Sequence, residues 1–255
     1  MLVVKIVPRN LCASICSSFT ELKMTTPQKT FTLKSILLML LVILIVPFLP
    51  LLISWRWNWW AAWVYAMINI GGFGVSRVLA ARRNPDLIKE RARFLQHEDT
   101  ETWDKLLSPL VGLGAGLIPL VAGLDARFSW SPVFGAGINL IALLFLLLGY
   151  TISSYAFINN RFFSGVVRIQ KERDHQLVSS GPYRWIRHPG YAGGLLTYLA
   201  TPLFLDSAWA YLPVIILSIL LIIRTSLEDK FLKQDLEGYR DYTQHIRFRL
   251  IPGIW

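Results

Sequence analysis

Long apolar runs separated by polar or basic connections dominate the chain, and roughly 20 apolar residues suffice for an α-helix to cross a bilayer. Six segments predict such spans: Ser35 to Ser54, Trp59 to Ala80, Leu106 to Leu124, Val133 to Phe157, Trp185 to Leu205 and Trp209 to Ile223. The last two are short or interrupted by proline. Gly71, Gly72 and Gly74, and again Gly112, Gly114 and Gly116, sit inside spans, where small residues let helices approach closely. Two polar stretches carry helical periodicity of their own. Asn84-Pro-Asp is a helix-start signal, and Leu87 to Leu95 reads as a short basic helix on the membrane surface, with His97, Glu98 and Asp99 on a solvated face. In the tail, Leu227, Phe231, Leu232, Leu236, Tyr239, Tyr242 and Ile246 recur at spacings of three and four, which predicts an amphipathic helix lying against the mouth of the bundle.

Composition agrees with the pattern. A mean hydropathy of +0.46, 54% apolar residues and 16% charged residues exclude an ordinary soluble domain. The expected fold is therefore an all-α integral membrane protein of about six transmembrane helices with short cytoplasmic surface helices. Basic residues concentrate in the connections after the second and fourth spans and in the tail, so the positive-inside rule places both termini and the two long connections in the cytoplasm. The net charge of +10 is then topology and attraction to anionic membrane lipids, with no nucleic-acid partner expected. Trp55, Trp57, Trp59, Trp60 and Trp63 cluster at the outer end of the first hairpin, as an interfacial belt would. Residues 1–33 read as a disordered cytoplasmic leader whose Cys12 and Cys16 are reduced thiols, since a lone Cys-x3-Cys pair is a weak metal signal. Residues 34–158 form the N-terminal transmembrane helices and residues 159–255 a C-terminal region with the candidate site.

Two polar knots in that region bear on chemistry. Gly181-Pro-Tyr-Arg-Trp-Ile-Arg-His-Pro-Gly-Tyr191 sits at the entrance of a predicted span, and Arg224-Thr-Ser-Leu-Glu228-Asp229 follows the next apolar run. Polar groups at membrane depth are costly and mark function. On a helix, His188 and Tyr191 share a face, as do Arg224 and Glu228. Pro189 suits a helix's first turn, and backbone N–H groups beside Gly190 suit a carboxylate or phosphate. The residues alone leave two accounts open. In one, Arg224 pairs with Glu228 and Arg184 and Arg187 only set topology. In the other, the two knots bind a zwitterionic or cationic ligand beside a lipid chain.

His175-Gln-Leu-Val178, Gly181-Pro-Tyr183, Arg187-His-Pro-Gly-Tyr191, Arg224 to Asp229 and Tyr239-x-x-Tyr242 together resemble, in order and spacing, the signature of the isoprenylcysteine carboxyl methyltransferase family, which is related to the phospholipid methyltransferases. The resemblance covers roughly the last 90 residues and implies a membrane enzyme that uses S-adenosyl-L-methionine. By position it implies that His175, Gln176, Leu177, Val178 and Tyr183 line the cofactor and that His188, Pro189, Gly190 and Tyr191 hold it from the span's entrance. Glu228 and Asp229 would meet its polar side, with Asp229 standing where relatives often carry a second Glu. Arg224, with Glu228, would serve the methyl acceptor, a prenylated or otherwise lipid-like molecule such as a prenylcysteine carboxylate. A polar contact further upstream falls near Arg168 or Gln170. Membrane sterol and steroid reductases, which use NADPH, share a similar C-terminal pattern, but they commonly carry Glu where this chain has Gly194. A non-catalytic transporter or scaffold would need paired discontinuous helices in both halves, and only the C-terminal half has a polar break.

Overall fold

The computed structural model describes residues 43–92 and 97–255, so Cys12, Cys16, the leader and the start of the first predicted span lie outside the described residues. All regular structure among them is helical. It comprises α1 (Ile43–Ser54), α2 (Trp60–Arg83), α3 (Pro85–Ala92), α4 (Asp104–Phe128), α5 (Ala136–Asn159), α6 (Pro189–Phe204), α7 (Tyr211–Asp235) and α8 (Tyr239–His245). Four of them, α2, α4, α5 and α7, are long and apolar enough to cross a membrane, where six spans were expected. The described part of the first expected span is the shorter apolar helix α1. The fifth, α6, has 16 residues because His188 and Pro189 start it late, below the roughly 20 needed to cross alone.

The sixth expected span differs most. Hydropathy ends it at Ile223, yet α7 runs 25 residues to Asp235 and carries Arg224, Glu228 and Asp229 on its last turns. The helix continues because these charges find partners on other elements. The tail also departs from the expected single amphipathic helix. It breaks at Leu236–Gly238, where Gly238 adopts φ +74°, and resumes as the short α8. Leu236, Tyr239 and Tyr242 still pack together with Leu177 and Ile246 against them, so the predicted apolar face exists across the break.

Large apolar side chains cover the outside of the helices, among them Leu113, Leu140, Leu144, Ile215 and Ile219, as in a multi-pass membrane protein. The inside is filled by small and branched residues: Ala62, Ala66, Ala122, Ala142, Leu146, Val214 and Leu217. At the tryptophan end, Asp125 accepts hydrogen bonds from the Ser131 and Ser207 hydroxyls at 2.6 Å, tying two connections to α4. Trp55, Trp57, Trp60 and Trp63 are exposed at the same end, as the belt reading expected. At the opposite end lie Arg83, Asp104, Asn159, Pro189 and Asp235, and the long 160–188 connection.

The closest helix contact positions α6. A Cβ on Gly193 would come within 2.5 Å of the Gly149 carbonyl oxygen and 2.6 Å of the Ser153 nitrogen, so backbone meets backbone between α5 and α6. Ser153 Oγ adds a hydrogen bond of 3.0 Å to the Gly190 carbonyl, fixing the first turn of α6. Gly193→Ala should therefore lower the melting temperature in detergent, by the ~1–3 kcal/mol typical of overpacking. Gly74→Ala, where nothing lies within 4 Å, should be neutral.

Candidate active site

The connection from Asn160 to His188 folds over the ends of α6 and α7 and forms with them a cavity whose empty space, its open mouth included, is about 840 Å³. Its local order comes from short-range bonds. Gln170, fully buried, donates from Nε2 to the Phe162 carbonyl at 2.7 Å and is bonded by Arg173. Arg168 collects Glu90, Asp99 and Glu172 around one guanidinium. Burial opposes its charge, but the bonds to Glu172, Glu90 and Asp99 outweigh that and raise its pKa further. The stretch expected as a solvated face is thus partly packed: Glu90 is buried, and His97 Nε2 lies 3.0 Å from it. Gly181 has φ +60°, and a Cβ there would also meet the Asn159 side chain at 3.0 Å, so glycine suits the opening of the Gly181–Arg184 turn.

His175, Gln176, Leu177, Val178, Tyr183, His188, Gly190, Tyr191, Arg224 and Glu228 all line this cavity. The Gln170 N–H donates to His175 Nδ1 at 3.3 Å, so the imidazole is the neutral acceptor there. Burial, then the charges of Arg168 and Arg173, push its pKa from 6.5 down to about 4. Tyr183 is buried and its phenol is pushed up mainly by that burial. The ring of His188 stacks on that of Tyr191, with centroids 5.8 Å apart and planes 8° from parallel, so the two do share a face. Tyr191 donates its hydroxyl to Glu228 at 2.6 Å.

Arg224 and Glu228 face the same cavity but do not pair. Arg224 donates from Nε and Nη2 to Asp104 at 2.7 and 2.9 Å, and from Nη2 to the Gly165 carbonyl at 2.9 Å. Nη1 has no protein partner among the described residues. Asp104, with no exposed surface, also accepts the Val167 N–H at 2.7 Å. It thereby holds both the guanidinium and the cavity wall.

Two expected cofactor contacts are placed differently. Pro189 is buried in the first turn of α6 and does not line the cavity. Asp229 also points away from it. Its carboxylate has no exposed surface and accepts from Arg187 at 2.6 and 2.8 Å, Arg249 at 3.1 Å and the Tyr239 hydroxyl at 3.1 Å, with Lys233 at 3.1 Å. The reason is charge: three cations surround it, and each would be uncompensated without it. Arg187 N–H and His188 N–H donate to Phe248 and Arg249 carbonyls at 3.0 and 2.9 Å, which stitches the C-terminal segment to the start of α6. Sequence reasoning missed Phe162 and Phe163 on the cavity wall and Asp104 behind Arg224, while Leu232 and Leu236, expected on the amphipathic face at the bundle's mouth, join the lining. The acidic first residue of a span, opposite an unpaired arginine, is the signal that points to Asp104.

Comparison with known proteins places this region. Residues 140–234 match the isoprenylcysteine carboxyl methyltransferase (ICMT) family. A probable protein-S-isoprenylcysteine O-methyltransferase of Oryza sativa subsp. indica is 29% identical over 117 residues, 43% of this chain and 59% of that protein. A protein-S-isoprenylcysteine O-methyltransferase of Saccharomyces cerevisiae is 37% identical over 78 residues, 31% of this chain and 33% of that protein. The chain thus spans less than two thirds of the length of these relatives. Among solved structures, the eukaryotic intramembrane Ras methyltransferase ICMT aligns over 96% of this chain and 93% of its own, at 19% identity and a TM-score of 0.46.

The charge pattern predicts two stability effects. Asp229→Asn should cost about 3 kcal/mol or more in thermal unfolding, since it strands buried Arg187. The exposed Asp235→Asn on the same helix should be silent. Unfolded His175 takes up a proton below pH 6.5, whereas the folded side chain does so only near pH 4. Its contribution is therefore complete above pH 6.5 and lost as the pH falls from there toward 4. Melting temperatures of His175→Phe should fall less steeply across that window than those of the parent protein.

Proposed function

We propose, from the match of residues 140–234 to the isoprenylcysteine carboxyl methyltransferase family, that this protein is a membrane methyltransferase that uses S-adenosyl-L-methionine to esterify the carboxylate of a prenylated cysteine or a similar lipid-like acceptor. The observation that carries the reading is the arrangement of Arg224 and Glu228. They lie one helical turn apart on α7, face one cavity, and are anchored separately, Arg224 by Asp104 and Glu228 by Tyr191.

The cavity fits such a cofactor. It combines aromatic and aliphatic walls (Phe162, Leu177, Val178, Leu232), a carboxylate at Glu228 and a free guanidinium edge at Arg224. Its wall also includes Arg187, whose Nε is buried without a partner among the described residues. When bound, S-adenosyl-L-methionine supplies an electrophilic methyl group on a sulfonium centre. Attack by a carboxylate on such a centre neutralises charge and needs no general base, so the chain's task is to position and desolvate the reactants. Glu228, oriented by the Tyr191 hydroxyl, presents negative charge to the cofactor's ammonium. The 175–178 strip and Tyr183 enclose its apolar parts. Arg224 presents Nη1 to the acceptor carboxylate, while Asp104 fixes the guanidinium plane and keeps Nε and Nη2 occupied. Asp229 and Pro189 act through structure: one braces the tail, the other starts α6.

Topology suits this division of labour. With the basic end cytoplasmic and the apolar helix faces in lipid, the water-soluble cofactor arrives from the cytosol and the acceptor's chain arrives from the bilayer.

The deciding experiment incubates purified protein with methyl-labelled S-adenosyl-L-methionine and farnesylcysteine. The expected product is a base-labile methyl ester, and label appearing only in an amine product contradicts the carboxylate assignment. In the same assay Arg224→Lys should cut turnover by more than tenfold with cofactor affinity nearly unchanged, because a point charge does not replace a planar fork. Asp104→Asn should lower kcat similarly while leaving cofactor affinity intact. Glu228→Gln should weaken the cofactor about tenfold, ~1.4 kcal/mol for one polar contact.

A further inference from the structure

A second basic feature adjoins this site. Arg77 on α2 and Arg91 on α3 direct their guanidinium groups at one aromatic ring. Arg77 Cζ lies 4.1 Å from the centroid of Phe157 and 4.5 Å from that of Phe73. Arg91 Cζ lies 5.9 Å from Phe157 and 5.6 Å from Phe163. Among the described residues, neither guanidinium has a carboxylate within 4.0 Å or any hydrogen-bond partner. The residues outside the description hold a single acidic side chain, Glu21. Arg168, Arg187 and Arg224, at the same end of the bundle, each have one or more carboxylates.

Both arginines line an open cavity between α1, α2, α3 and α5, about 930 Å³ with its mouth included, and Phe163 lines both it and the candidate active site. Its walls are largely apolar, from Ile43, Val46, Pro47 and Phe157. Ser154, whose hydroxyl has no partner among the described residues, adds a donor. Two like charges in such surroundings are costly without a counter-charge. Burial and the charge of Arg224 already draw Arg91 down to about 10. Aromatic stacking occupies the faces of the guanidinium groups and leaves their N–H edges for an anion. The outer face of α2 beside them is apolar and exposed, with Val75, Val78 and Leu79.

We propose that this cavity binds the phosphate of an anionic membrane phospholipid, gripped by Arg77 and Arg91, with its acyl chains running along α1 and α2. A basic pocket between spanning helices at the basic end of a bundle is suited to an anionic headgroup. The apolar walls select a lipid over a soluble phosphate, and the charges select an anionic lipid over a zwitterionic one.

The test measures thermal unfolding of the full chain in neutral detergent with phosphatidylglycerol, phosphatidylcholine or inorganic phosphate at matched ionic strength. Phosphatidylglycerol should raise the melting temperature by several degrees, and the other two should not. The shift should vanish in the double variant Arg77→Gln/Arg91→Gln and persist in Arg82→Gln/Arg83→Gln, which removes two exposed charges from the same end. An equal shift with phosphatidylcholine or inorganic phosphate would overturn the proposal, as would loss of the shift in the Arg82/Arg83 variant. Should the glutamine pair not fold, Arg77→Lys/Arg91→Lys takes its place. That pair keeps the charge but loses the stacked planar edge, and should bind phosphatidylglycerol about tenfold more weakly. Unchanged affinity in it would refute the site.

Discussion

The carboxylate of Asp229 has no exposed surface, yet it sits among Arg187, Lys233 and Arg249 and under the Tyr239 hydroxyl. Each partner comes from a different part of the chain: the start of α6, the next turn of α7, the C-terminal segment and α8. A buried ion pair contributes little net stability but is costly to break, so this cluster mainly fixes geometry. It sets where α7 ends, how α6 begins and where the tail crosses. The cavity between α6, α7 and the 160–188 connection exists because those elements are held at one point beside it. Burial and then the charge of Asp229 push the Tyr239 phenol up from its ordinary value, consistent with its hydroxyl donating to Asp229.

The charges that face the cavity are kept apart by the same logic. Left to themselves, Arg224 and Glu228 at helical spacing would pair and cancel. Asp104 takes Arg224 by two hydrogen bonds and Tyr191 takes Glu228 by one, so each keeps unused capacity for a ligand. A cation and an anion held apart beside apolar walls suit a zwitterionic ligand and a carboxylate. In the proposed reaction it is the separation of these charges that matters, more than the strength of any one pair.

Most of the helices were legible because hydropathy period and length are local properties. Trp60–Arg83, Asp104–Phe128 and Ala136–Asn159 fall within a few residues of the expected spans. The end of α7 was not legible, since Arg224 and Asp229 look like the end of a span until Asp104 and Arg187, remote in sequence, are seen to neutralise them. The break before α8 carried a readable sign, Gly238, which the apolar periodicity outweighed. At the site, the order and spacing of the motifs marked ten residues that do line one cavity. Asp229 was misplaced because a carboxylate next to Glu228 reads the same in sequence whether it faces a ligand or a cluster of arginines. Only the surrounding cations decide.

We propose that the cavity at the basic end of the bundle holds a methyl donor. Equilibrium binding of S-adenosylhomocysteine, the demethylated product, to the detergent-purified chain tests it most directly, with NADPH measured in parallel. Saturable binding of S-adenosylhomocysteine, displaced by S-adenosyl-L-methionine and unaffected by NADPH, is the predicted result. Binding of NADPH with none of S-adenosylhomocysteine would contradict the account.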